Sequence, residues 1–197
     1  MNTPSETARH VIAALKLRRV GPATVRKMLE SRFPTHSITD WALPEEIALA
    51  SGGRIQVPTA TEANEAYAAA DSLLERSAAI GVRAFTPLDA EYPRALLDLK
   101  DHPVVVYYKG SASALANRRK MAVVGTREAS SLGRGLARTI SFKLSSSNIC
   151  VVSGLAFGID ASAHHGAIKG PGSTIAVLAH GLDQVAPKAH TELARSI

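Results

Sequence analysis

One cysteine, one tryptophan and 5% aromatic residues in a chain of 197 exclude several kinds of protein at the outset. The lone cysteine, Cys150, leaves no internal disulfide framework. It lies in the apolar run 148–152 and reads as a buried small hydrophobe in a reducing compartment. No apolar stretch approaches the roughly 20 residues of a membrane-crossing helix, and the first ten residues are polar, so a cytoplasmic setting is expected. Neither Gly-x-Gly-x-x-Gly nor the Gly-Lys-Ser/Thr ending of a Walker loop occurs, so no cofactor is indicated. The histidines show no metal-ligand spacing. The adjacent pair His164 and His165 would diverge on any helix, and no metal site is expected. No Ser/His/Asp set can be assembled, so the chain is not expected to be an enzyme.

What the sequence does have is length for a small domain and an ordinary one, with 46% hydrophobic residues to fill a core. It also has uneven charge. The net charge is +6, and residues 1–33 carry seven Lys/Arg against two acids, residues 34–101 five against eleven, and residues 102–197 eleven against four. Two basic segments thus flank an acidic one. A basic surface draws polyanions and supports salt-sensitive phosphate contacts, although the same charge also suits a merely soluble surface.

Apolar spacing predicts a helix over residues 6–17 and a second over 23–31, with Val25, Met28 and Leu29 as its inner face. Val20-Gly21-Pro22 forms the turn between them, and Pro22 suits the first helical turn because its missing N–H has no intrahelical acceptor there. Further helices are expected over 44–50 and 61–79, making residues 1–80 a small all-helical domain. Residues 81–102 read as a connecting segment and residues 103–197 as a second domain. That domain opens with a β-branched and aromatic strand at 104–108, followed by strands at 121–124, 149–152 and 174–178. Helices over 132–144, with Leu136, Ile140 and Leu144 on one side, and over 159–168 alternate with these strands. Apolar strands alternating with helices predict an α/β fold, a doubly wound parallel sheet.

In such sheets ligands bind beyond the C-terminal strand ends, where loops enter helix N-termini. Three loops qualify. The first is Gly125-Thr126-Arg127, offering close backbone approach, a hydroxyl and a guanidinium fork for phosphate oxygens. The second holds Ser153, Gly154, Phe157, Gly158 and Asp160, and the third runs from His180 to Asp183. Glycine after a strand also serves as plain turn chemistry, and Asp160 also suits a helix cap. Arg134 and Arg138 share a helix face, with Lys143 near that helix's end, as auxiliary basic contacts or as a solvated face.

Taken together, residues 121–130, 152–164 and 175–183 resemble the DNA-processing protein A (DprA/Smf) family in order and spacing, and so do residues 89–96 and 103–110 upstream; the likeness is strong over 85–197 and weaker in the N-terminal helices. The resemblance implies a Rossmann-like domain that binds and protects single-stranded DNA and loads a RecA-type recombinase during natural transformation. It places Gly125, Thr126 and Arg127 on the family's Gly-Ser/Thr-Arg phosphate pocket. It places Ser153, Gly154, Gly158 and Asp160 on the neighbouring Ser-Gly-x-Ala-x-Gly-Ile-Asp loop. Phe157, at a variable position, either stacks on a base or packs inward. The first two helices resemble half of a helix-hairpin-helix or a SAM-like unit, without the usual second glycine. The family's domain continues through further strands and a homodimer surface that are missing before Ile197, so the sheet is expected to be incomplete. The alternatives are a nucleotide-binding enzyme or sensor of related fold, and an inactive remnant.

Overall fold

The structure is a computed structural model that describes residues 5–30 and 42–197; the end of the second expected helix, at Ser31, lies outside the described residues. The chain divides into two compact units, Met1–Lys109 and Gly110–Ile197.

The first unit contains helices α1 (Glu6–Lys16), α2 (Pro22–Glu30), α3 (Leu43–Ala50) and α4 (Ala60–Ala79). Its core joins Val11 and Ile12 of α1 to Val25, Met28 and Leu29 of α2, Leu43 and Ile47 of α3, and Leu74 of α4. Local chemistry fixes the helix ends. Ser5 caps α1 by accepting from the Ala8 N–H, and Thr59 and Glu62 form a reciprocal capping box at the start of α4. Arg9 grips Asp71 through two hydrogen bonds of 2.5 and 2.9 Å, clamping α1 to α4.

Strand β1 (Val82–Phe85) follows α4 and pairs antiparallel with β2 (Val106–Lys109), Val82 opposite Lys109 and Phe85 opposite Val106. The run 104–108 therefore does not open the parallel sheet as its composition suggested. Its apolar residues are satisfied within the first unit: Val104 joins the helical core, and the Tyr108 ring lies 6.2 Å from that of Phe85. The Arg83 guanidinium lies over both rings, 5.1 and 5.5 Å from their centroids.

The second unit is the α/β part. After a short helix α5 (Ala112–Ala116), strands β3 (Lys120–Ala122), β4 (Cys150–Ser153) and β5 (Thr174–Ala176) form a parallel sheet in that spatial order. Met121 pairs with Val151, and Val151 with Thr174. Helices α6 (Ser131–Ser146) and α7 (Ile159–Ile168) make the two crossovers and pack against each other. Val151 of the sheet meets Ala163 and Ala167 of α7, with Val123 and Leu144 beside them. A 3-10 turn (Lys188–His190) and helix α8 (Thr191–Ser196) follow β5, and Leu193 packs with Leu155 and Ala161.

The inner face of α6 is not the large apolar one. Leu136 and Ile140 are about half exposed, and Ala137, Ser141 and Ser145 are buried instead. The reason is the closeness of α7. At Gly166 an added Cβ would stand 2.2 Å from the Arg138 carbonyl oxygen, a separation that only small residues on both helices allow. Ser145 uses its hydroxyl here, donating to the Ala167 carbonyl and accepting from the Gly172 N–H, each at 2.9 Å.

Candidate nucleic-acid interface

The loop after β3 and the loop after β4 touch each other. Gly158, at φ 79°, passes so close to the first loop that a Cβ would come within 2.2 Å of the Thr126 carbonyl oxygen and 2.6 Å of that of Arg127. The Ile159 N–H donates to the Thr126 carbonyl at 3.2 Å, and Gly125 lies against the Ile159 side chain, where a Cβ would meet Cγ1 at 2.7 Å. The two glycine-bearing loops are therefore a single structural unit at the mouth of α7. Ser130 caps α6 by accepting from the Gly133 N–H at 3.1 Å, and the Thr126 hydroxyl oxygen accepts from the Glu128 N–H at 3.2 Å.

Beside this unit the α6–α7 seam opens into a groove of about 660 Å³ lined by Arg127, Arg134, Arg138, Phe157, His165 and His190, with Glu128 as its one carboxylate. The α7 contribution comes from Gly158, Ala161, Ser162 and His165, residues that recur on one face of a helix. Arg134 hydrogen-bonds to the Ala129 carbonyl and reaches the Ser131 hydroxyl at 3.5 Å, which holds its stem along the first turn of α6. Among the described residues Arg127 and Arg138 have no ion-pair or hydrogen-bond partner for their guanidinium groups, so both forks face the groove uncommitted.

Phe157 is 49% exposed, which disposes of the inward-packing alternative. Its ring is steadied edge-on by His190, with centroids 4.8 Å apart. His190 in turn donates from Nδ1 to the Leu155 carbonyl at 2.8 Å, tying the turn before α8 to a loop residue buried at φ 59°.

The other residues singled out in sequence divide differently. Ser153 is buried and donates to the Val123 carbonyl at 2.7 Å, extending the β3–β4 pairing beyond the strand ends. Asp160 is also buried, and its Oδ2 accepts from the Gly154 N–H at 3.1 Å. These three build the floor that holds the loops and do not line the groove. Lys143, near the far end of α6, also lies outside it, as does the loop from His180, whose Nδ1 donates to the Gly181 carbonyl. Sequence reasoning overlooked His165 and His190. The spacing Gly158, Ala161/Ser162, His165 along α7 was the available signal for the first; nothing local marks the second.

The charge lining the groove is mainly positive. Partial burial, and then Arg138, His190 and Lys169, hold the His165 imidazole below its ordinary pKa, since nearby positive charge disfavours another. His164, the next residue inward, is a different case. It is fully buried, and burial lowers it to about 4 despite the opposing effect of Asp160.

Residues 83–197 match the family described as DNA recombination-mediator protein A. Among curated relatives, the protein Smf of Synechocystis is 39% identical over 115 residues, covering 57% of this chain and 29% of that protein. The DNA processing protein DprA of Streptococcus pneumoniae is 41% identical over 110 residues, covering 56% of this chain and 38% of that protein. The X-ray structure of DprA from Streptococcus pneumoniae superposes with a TM-score of 0.74 at 31% identity, covering 95% of this chain and 63% of that one. The DNA processing protein A from Helicobacter pylori, whose structure gives insights into its single-stranded DNA binding mode, superposes with a TM-score of 0.53 at 26% identity, covering 59% of this chain and 51% of that one. The sequence matches thus span well under half the length of these curated relatives.

Proposed function

The chain belongs to the DNA recombination-mediator protein A family, and on that premise we propose that its α6–α7 groove binds the sugar-phosphate backbone of single-stranded DNA. The observation that carries this reading is the charge of the groove: Arg127, Arg134 and Arg138 against the single carboxylate of Glu128, with an exposed aromatic ring alongside. Guanidinium forks hold phosphates, and a half-exposed phenyl ring stacks on an unpaired base whatever its identity. A duplex keeps its bases stacked inside and cannot use Phe157 in this way.

The role is binding rather than catalysis. The two polar side chains at the ends of the loop after β4 are already committed, Asp160 to the Gly154 N–H and Ser153 to the Val123 carbonyl. We further infer a cytoplasmic protein that shields an incoming strand and hands it to a RecA-type recombinase in DNA uptake. No helix among the described residues is long and apolar enough to cross a membrane.

Binding of fluorescent oligonucleotides by anisotropy tests the reading. A labelled single strand binds, the matching duplex binds more weakly, and log affinity falls with log salt at about 0.7 per phosphate engaged. Arg127→Ala weakens the single strand by about 1–3 kcal/mol, a charged contact's worth, while leaving thermal stability unchanged. Full affinity in a folded Arg127→Ala protein overturns the assignment. Competition by a mononucleotide as effective as a long strand turns it toward a nucleotide sensor. Recombinase loading is read separately, as faster recombinase filament assembly on a strand already covered by single-strand-binding protein.

A further inference from the structure

The arginines of the groove are charged at every physiological pH, but one of its walls is an imidazole. His165 stands on α7 next to Gly166, at the point where α7 touches the α6 backbone at Arg138. The crossing therefore sets the imidazole beside the Arg138 segment, on the same helical face as Gly158 and Ser162. No hydrogen bond or ion pair holds His165 to another described residue. Around it stand the cations Arg138 from α6 and Lys169 from the end of α7, and the imidazole of His190 from the turn before α8. Arg127 and Arg134 line the same groove, and the carboxylate there is that of Glu128. Asp160, nearer the start of α7, has its Oδ2 engaged by the Gly154 N–H. His164, behind it, is sealed in the core.

An imidazole ringed by positive charge and lacking an acceptor stays neutral while the groove is empty. An arriving phosphate reverses both conditions, since it cancels the surrounding charge and offers the missing acceptor. We propose that His165 is a phosphate contact of this groove that engages as an imidazolium, so that each strand is bound together with a proton. The proposal rests on the nucleic-acid reading above and adds a specific residue and a linked proton to it. The depressed pKa of free His165 is in keeping with it, because a proton that is absent before binding is the one that binding takes up. Linkage is reciprocal: a phosphate that strengthens the hold on the proton tenfold is itself bound about tenfold more tightly once the proton is in place.

The test is a pair of pH values and two substitutions, with a fluorescent oligothymidine as probe and circular dichroism to establish that each protein is folded. The parent binds a few-fold more tightly at pH 6.0 than at pH 8.0, short of the full factor because pH 6.0 is not below the lowered pKa of the free imidazole. His165→Gln binds at the weak pH 8.0 level at both values. His165→Arg, with a charge that does not titrate, binds at the tight level at both. A His165→Gln protein that keeps the parent's ratio, or a His165→Arg protein no tighter than the parent at pH 8.0, overturns the proposal and leaves the single-strand reading standing. Absence of binding by the parent at either pH overturns both.

Discussion

Acidification from pH 6.5 to 4 should weaken the fold of this protein through His164, and the hydrogen bonds around that residue say why. The Thr174 hydroxyl donates to the Val151 carbonyl at 2.8 Å, so the hydroxyl oxygen is left to accept from His164 Nδ1, also at 2.8 Å. That fixes the neutral tautomer with its proton on Nδ1. Nε2 is buried without a partner, so a second proton would be placed on an atom with nothing to receive its hydrogen bond. Burial accordingly lowers the pKa to about 4, against 6.5 in an unfolded chain. Because the folded value is the lower one, the unfolded state binds the proton first. Stability is complete above pH 6.5 and is lost as pH falls through the interval to about 4. At about 1.4 kcal/mol per pH unit the loss is about 3 kcal/mol, a large part of the stability of a small domain. Urea unfolding at pH 7.0, 6.0, 5.0 and 4.5 measures it, with His164→Asn as the comparison. An asparagine amide can still donate to Thr174 but does not titrate. His10 also has a pKa lowered by burial and contributes with the same sign in parent and variant alike, so the difference between their pH profiles isolates His164. Parallel profiles for the two proteins would refute the argument.

Gly166→Ala should destabilise by about 1–3 kcal/mol or more, because its Cβ meets the α6 backbone at Arg138 and neither helix has a flexible side chain there to yield; an unchanged melting temperature would contradict the packing described. Ser145→Ala strands the Gly172 N–H, while the Ala167 carbonyl keeps the Gly170 N–H as a donor, and should cost about 1–3 kcal/mol of stability, read as a lower denaturant midpoint at constant m-value. Phe157→Ala should leave the melting temperature within about a degree and reduce affinity for a base-bearing strand by about 1–3 kcal/mol, with little change toward an abasic strand of the same length; equal losses on both strands would remove the stacking role.

Much of this structure is legible in the sequence, and the exceptions share a cause. The helices of the first unit follow from apolar spacing and from Pro22, and the parallel strands follow from short β-branched runs closed by glycine. The α6 helix misleads because its large side chains, Leu136 and Ile140, look like a core face, whereas the closeness of α7 admits only Ala137, Ser141 and Ser145. The run 104–108 misleads because a strand's composition does not name its partner, and Phe85 and Arg83 supply one on the near side of the unit boundary. The site loops show the same limit more sharply. A hydroxyl at a strand end can donate to a phosphate or to the neighbouring strand, and only the β3–β4 register, which brings the Val123 carbonyl to 2.7 Å, decides that Ser153 does the second. Asp160 and Gly154 satisfy each other in the same way. Motif residues that are polar but locally satisfied thus become the frame. The groove wall falls instead to side chains without an internal partner, Arg127, Arg138 and His165.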